Sequence, residues 1–243
     1  MPDSGLLLSC VAAVLVGFSK TGMPGMGFIV VPLLAMAVGD ARLSVGVLLP
    51  LLMVGDLWAL GFYNRHADWR IIVSIAPWII VGLCVGGFLL QRIDNTVFPP
   101  VLGGLVLCGV LLELARQRFR WEHLPRHPLF AGAMGTAAGI ATILGNLAGA
   151  FTNLYLLSRG LDKERFIGSV AWMFFLVNAS KFPVYLRQDM ITPETLVLDL
   201  KLAPAVCLGA LIGRLVLPRV STALFYRLVM VLATVGALRL MFL

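Results

Sequence analysis

Charge is scarce in this 243-residue chain, where Asp, Glu, Lys and Arg make up 13% of the residues against 60% hydrophobic ones. Mean hydropathy is +0.96. So little charge cannot cover the surface of a soluble domain of this length, which excludes a water-soluble globular fold and implies an integral membrane protein. The apolar runs are continuous and lack residue-by-residue alternation, which removes a β-barrel and leaves helices. Histidine is confined to His66, His123 and His127, all in polar connections, so metal or haem sites built from intramembrane imidazoles are excluded. Cys10, Cys84, Cys108 and Cys207 never form a close pair and lie in apolar stretches, where they read as small buried hydrophobes. No P-loop, hydrolase, kinase or metalloprotease pattern is present, so neither an enzyme nor an ATPase is expected, and no cofactor. The N-terminus lacks a basic n-region and a small-residue cleavage site and carries Asp3, so it reads as mature sequence rather than a signal peptide.

Residues 17–38 read GFSKTGMPGMGFIVVPLLAMAV, and residues 139–158 repeat the pattern more weakly as GIATILGNLAGAFTNLYLLS. Each segment reads as a polar, glycine-rich break between two apolar runs too short to cross a membrane, since a span needs about 20 residues. Irregular backbone at membrane depth is tolerated only where protein or a watery cavity satisfies it, so a pair of such breaks points to a ligand site. Besides the broken segments near 5–38 and 128–157, six runs are long enough to span, near 43–63, 71–90, 97–115, 166–186, 196–216 and 222–242. The hydrophilic stretch 116–127 divides the chain into halves 1–115 and 128–243.

The halves align. At an offset of 122, Gly17, Gly27, Asp40, Gly46 and Tyr63 fall on Gly139, Gly149, Asp162, Gly168 and Tyr185. At an offset of 127, Pro77, Gly82 and Gly86 fall on Pro204, Gly209 and Gly213. Loop charge sets the orientation, because Lys and Arg collect on the cytoplasmic side. If both broken segments return to the side they came from, one face holds twelve basic residues (Arg65, Arg70, Arg116, Arg118, Arg120, Arg126, Arg159, Lys163, Arg165, Arg214, Arg219 and Arg227). The other face then holds five: Arg42, Arg92, Arg187, Lys201 and Arg239. If both segments span, the same residues divide nine to eight, which is no bias. The expected fold is therefore an all-α integral membrane protein of two inverted repeats, each a re-entrant or broken helical hairpin plus three transmembrane helices. Both termini would face away from the cytoplasm. The net charge of +7 serves topology and lipid headgroups rather than nucleic acid.

The second arm of each hairpin would start near mid-membrane, at Gly27 and Gly149. A helix N-terminus presents free N–H groups and the positive end of its dipole, so two converging ends suit an anion. Gly25, Gly27 and Gly149 let backbone approach a ligand, although close helix packing is the plainer account of such glycines. Lys20, beside Ser19 and Thr21, is a cation at a depth where charge usually faces a cavity, unless it snorkels to the surface. Asn146, with Thr142, Thr152 and Asn153 nearby, could cap an arm's first turn or donate to an oxyanion. Asn178 and Lys181 share a helix face. Asp56, repeat-related to Asn178, is either an ion-coupling carboxylate or half of a static buried pair with Lys181 or Lys20. Glu113 and Asp199 fall near span ends and read as interfacial.

These segments resemble the sulfite exporter TauE/SafE family over essentially the whole length. GFSKTGMPGMGFIVVPLL looks like its first-half signature, and LLPLLMVGDLWALGFYNRHADW continues it through Asp56. GNLAGAFTNLYLLSRGLDKERFIGSVAWMFFLVNASKFPVYL looks like its second-half run, most specifically at Ala171, Trp172, Phe174, Phe175, Asn178, Lys181 and Pro183. Met23, Met26, Leu147 and Ala150 depart from the pattern at the proposed site. The resemblance implies transport of sulfite, sulfonates or related small anions across a bacterial inner membrane, with basic loops cytoplasmic. Lys20, Thr21, Gly25, Gly27, Asn146, Gly149, Asn153, Asn178 and Lys181 are the expected substrate contacts, and Asp56 the candidate for proton or other ion coupling. The expected partners are a small anionic substrate and the lipid bilayer, and a homo-oligomer is allowed. A passive anion channel and a non-transporting assembly factor are the alternatives.

Overall fold

The computed structural model describes residues 3–21, 27–119, 124–125, 127–216 and 222–242. Gly25, Met23 and Met26 of the first break lie outside these, as do Arg120, Arg126 and Arg219 of the loop-charge count. Among the described residues ten α-helices follow one another: α1 (Asp3–Thr21), α2 (Gly27–Val38), α3 (Ala41–Tyr63), α4 (Trp69–Arg92), α5 (Phe98–Arg118), α6 (Pro128–Gly145), α7 (Gly149–Ser158), α8 (Lys163–Arg187), α9 (Pro193–Val216) and α10 (Thr222–Phe242). A single 3₁₀ turn, Asn64–His66, joins α3 to α4. Side-chain oxygens accept from first-turn amides at several helix starts: Asp40 from Leu43 ahead of α3, Asp68 from Ile71 ahead of α4, Asp162 from Arg165 ahead of α8 and Thr192 from Thr195 ahead of α9.

Among the described residues, seven helices are long and apolar enough to cross a membrane: α1, α3, α4, α5, α6, α8 and α9. One expectation is corrected here. The first arms of both broken segments are not short: α1 has 19 residues and α6 has 18, about 28 and 27 Å at 1.5 Å per residue. Only the second arms, α2 with 12 residues and α7 with 10, fall well below a span. The apolar count had placed the breaks well, yet the polar residues Ser19, Lys20 and Thr21 continue α1 rather than interrupt it.

Large apolar side chains cover the outside, among them Val73, Ile80, Phe88, Leu111, Leu200 and Leu208. A water-soluble monomer does not expose so much contiguous apolar surface, whereas acyl chains solvate it. Inside, the main core gathers residues of both halves, including Ala13, Leu34, Leu49, Leu102, Ile143, Tyr185 and Val206.

The repeat-matched residues make matched contacts. α1 packs on α9, and α6 packs on α4, so each half's first arm lies against a long helix of the other half. Both contacts are backbone-close. A Cβ on Gly17 would stand 1.9 Å from the Val206 carbonyl oxygen, and one on Gly139 would stand 2.3 Å from that of Ile79. Gly209 and Gly82 occupy the facing positions, against Val14 and against Thr136 with Gly139. Small-residue packing therefore accounts for these glycines. Gly46 lies against Met190 just ahead of α9, and its counterpart Gly168 lies against Tyr63, His66 and Ala67 just ahead of α4.

These registers also fix direction. Val14 meets Gly209 and Phe18 meets Gly213, so α1 runs parallel to α9. Gly46 meets Met190 and Trp58 donates to the Cys207 sulfur, so α3 runs parallel to α9 as well. With α1 and α3 pointing the same way, α2 carries the chain back between them. α3 and α8 run antiparallel, with Asp56 against Asn178 and Tyr63 against Gly168.

Candidate functional site

The two breaks meet at one cavity of about 140 Å³, room for about five waters at roughly 30 Å³ each. Its lining takes in Ser19, Lys20 and Thr21 from the end of α1 and Gly27 from the start of α2. Asn146, Gly149 and Asn153 come from the second break, and Asp56, Asn178 and Phe174 from the antiparallel pair α3–α8. Eight expected site residues are thus brought together: Lys20, Thr21, Gly27, Asp56, Asn146, Gly149, Asn153 and Asn178. Gly25 lies outside the described residues. Lys181 does not line the cavity.

At the first break, Lys20 stands in the last turn of α1, where a cation is favoured by the carbonyl end of the helix. It does not snorkel. Its Nζ lies 2.6 Å from Asp56 Oδ1 and 4.7 Å from the centre of the Phe174 ring, and its side chain is only 13% exposed. Asp56 is fully buried, and Asn178 Nδ2 donates to its second oxygen at 2.6 Å. Both carboxylate oxygens are therefore occupied, and of the two partners foreseen for Asp56 the structure selects Lys20 over Lys181. An ammonium carries three N–H groups, so Lys20 keeps donors beyond the one directed at Asp56. Thr21 Oγ1 donates to the Ala210 carbonyl at 2.7 Å, tying the end of α1 to α9.

At the second break, Asn146, which the sequence offers as a cap for an arm's first turn or as an oxyanion donor, caps no first turn. It ends the first arm instead, in the left-handed conformation with φ 57°, which Asn tolerates at a helix C-terminus. Its Nδ2 donates to the Val45 carbonyl at 3.0 Å and its Oδ1 accepts from Lys181 Nζ at 2.5 Å. Lys181 is fully buried and also donates to Thr142 Oγ1 at 2.8 Å and to the Thr142 carbonyl at 3.3 Å. Tyr185 donates its hydroxyl to the Ile143 carbonyl at 2.9 Å. The orphan carbonyls that end α6 are thus taken up by a lysine and a tyrosine of α8. No side chain caps α7, which starts at Gly149 with Ala148 before it. Its first N–H groups are free of intrahelical partners.

The glycines of the tips differ from those of the helix contacts. A Cβ on Gly27 would meet nothing within 4 Å, and one on Gly149 would meet only Phe174 at 3.9 Å. Packing does not require glycine at either position, so both leave backbone open to the cavity. Asn153 Oδ1 is a buried oxygen without a hydrogen-bond partner.

Two carboxylates expected at the membrane interface are buried inside the protein. Glu113 pairs with Arg116 one turn on, and Asp199 has no hydrogen-bond partner for either oxygen. Both sit near helix ends, as the sequence places them, but on inward faces that hydropathy alone does not reveal. Phe174 enters the sequence argument only as a motif match. Its position one turn before Asn178 on the same helix face was the signal that it belongs to the site.

Long apolar helices and an apolar exterior define a multi-pass membrane protein, with one cavity where its two broken segments meet. The profile of the Sulfite exporter TauE/SafE family matches residues 9–240, nearly the entire chain, and the chain belongs to that family of membrane transporters. No curated protein and no solved structure matches it significantly.

Proposed function

We propose that this protein is a secondary transporter of a small anion, a sulfur oxyanion, sulfonate or carboxylate, bound in the cavity between the two helix breaks. The observation that carries the reading is Lys20, a cation lining that cavity with N–H groups to spare. The backbone at Gly27 and Gly149 and the side chains of Thr21 and Asn153 complete the anion's surroundings, and the free N–H groups at the start of α7 face the same space. Asn178 and Lys181 act indirectly, the first by holding Asp56 and the second by fixing the Asn146 tip.

Asp56 is the coupling group in this reading. A proton reaching its carboxylate would release Lys20 to the anion, so ion and substrate would move together. The matched packing of the halves and the antiparallel α3–α8 pair support an inverted repeat, whose halves could exchange conformations about the cavity. The family supports a bacterial inner membrane location, and the loop-charge count supports cytoplasmic basic loops.

Binding tests this directly. Sulfite, short sulfonates and small carboxylates are titrated against the purified protein while its thermal unfolding is followed. At a ligand concentration of about 100 Kd, binding adds roughly 2.7 kcal/mol to stability, a clear rise in Tm. The double variant Lys20→Ala with Asp56→Asn removes the cation without orphaning the carboxylate and should show no shift. An equal shift in wild type and double variant would reject Lys20 as the anion ligand.

A further inference from the structure

One wall of the cavity, the one that α8 supplies ahead of Asn178, is apolar. The cavity's hydroxyl, amide and charged groups cluster at the two helix breaks and at the Asp56–Asn178 contact. From Asn178 toward the start of α8 the lining is Phe174, Ala171, Val170, Ile167 and Phe166. About three helical turns of this lining thus pass without a donor or acceptor side chain, and Asn178 to Ile167 alone covers about 16 Å at 1.5 Å per residue. Ala59 continues the same surface on α3. A bare oxyanion is hydrated on every side and gains nothing from such a wall, since unpaired polar groups are costly next to apolar surface. A ligand with one charged end and an apolar body matches both parts.

We infer that the preferred ligand is an amphipathic organic anion, with its acidic group at Lys20 and the helix tips and its apolar tail along Phe174, Ala171, Val170 and Ile167. This rests on the cavity being an anion site and adds which anions it favours. Phe174 stands at the junction, with its ring against Lys20 and its far edge near Gly149. It therefore marks where the head pocket ends and the tail wall begins.

The experiment is a chain-length series on the full-length protein in lipid nanodiscs: sulfite, then methane- through hexanesulfonate, then the matching n-alcohols. Burying a methylene favours binding by about three- to fourfold, so affinity should climb by about that factor per carbon over the first several sulfonates. The alcohols, lacking the head group, should bind far more weakly. Ala171→Phe should cut off the gain for longer tails, so that hexanesulfonate binds no better than methanesulfonate. Ile167→Ser, a milder change at the outer end, should lower the gain per carbon for the longest members only. Sulfite binding as well as or better than hexanesulfonate, with both variants indifferent, would overturn the inference and leave the anion site standing. Alcohols that climb in parallel with the sulfonates would also overturn it, by showing unspecific apolar uptake. If no anion binds, or the Lys20→Ala, Asp56→Asn protein binds the series as wild type does, the anion site itself falls and the inference with it.

Discussion

At the scale of single residues, the site is governed by two lysines with opposite settings. Lys20 has a charged partner and a face on the cavity, and Lys181 has neutral oxygen partners and no exposure. Removing one partner of a buried ion pair strands the other and costs about 3–5 kcal/mol. Lys20→Ala alone should therefore lower Tm markedly, and adding Asp56→Asn should restore much of the loss, which differential scanning measures. Lys181→Met should also destabilise, by about 1–3 kcal/mol for each oxygen left without a donor. That loss should not be rescued at Asp56, so the same scans tell the two lysines apart. The sequence brought both lysines and Asp56 to notice by their depth in apolar runs. It could not assign partners, because Lys20 and Asp56 are 36 positions apart and their pairing depends on how α1 is rotated against α3. That Asn178 meets Asp56 was foreshadowed by the repeat, since the two stand at the 122-residue offset.

At the scale of elements, the glycines divide into two groups that composition cannot separate. Gly17 and Gly139 stand where neighbouring backbone leaves no room for a Cβ, whereas Gly27 and Gly149 have space around them. Overpacking a close contact typically costs about 1–3 kcal/mol. Gly17→Ala and Gly139→Ala should each lower Tm by a similar amount, given their matched surroundings. Gly27→Ala should leave Tm unchanged and weaken anion binding, because the added methyl stands where backbone faces the ligand. A Gly27→Ala protein as unstable as Gly17→Ala would place that glycine with the packing group. The breaks themselves were legible in the sequence. The lengths of their first arms were not, because the helix continues through Ser19, Lys20 and Thr21, with Ser19 bonded back to a carbonyl of the preceding turn.

At the scale of the whole molecule, the two halves of the chain embrace each other through their first arms, α1 against α9 and α6 against α4. Such an exchange ties both breaks to one cavity, so that a shift of one half against the other would move the site's walls together. The family was legible from motif spacing across both halves, and the packing that joins them came only with the structure. The loop-charge bias predicts both termini on the face opposite the Arg65, Arg159 and Lys163 loops. Reporter fusions at the C-terminus should therefore read extracytoplasmic, and a cytoplasmic reading would contradict the hairpin orientation. The central claim is that Lys20 and the helix tips carry an anion across the membrane, and flux measures it most directly. Proteoliposomes with the wild-type protein should move sulfite or a short sulfonate faster than empty liposomes, and the Lys20→Ala, Asp56→Asn protein should fall to the empty-liposome rate. Undiminished flux through that double variant would contradict the account.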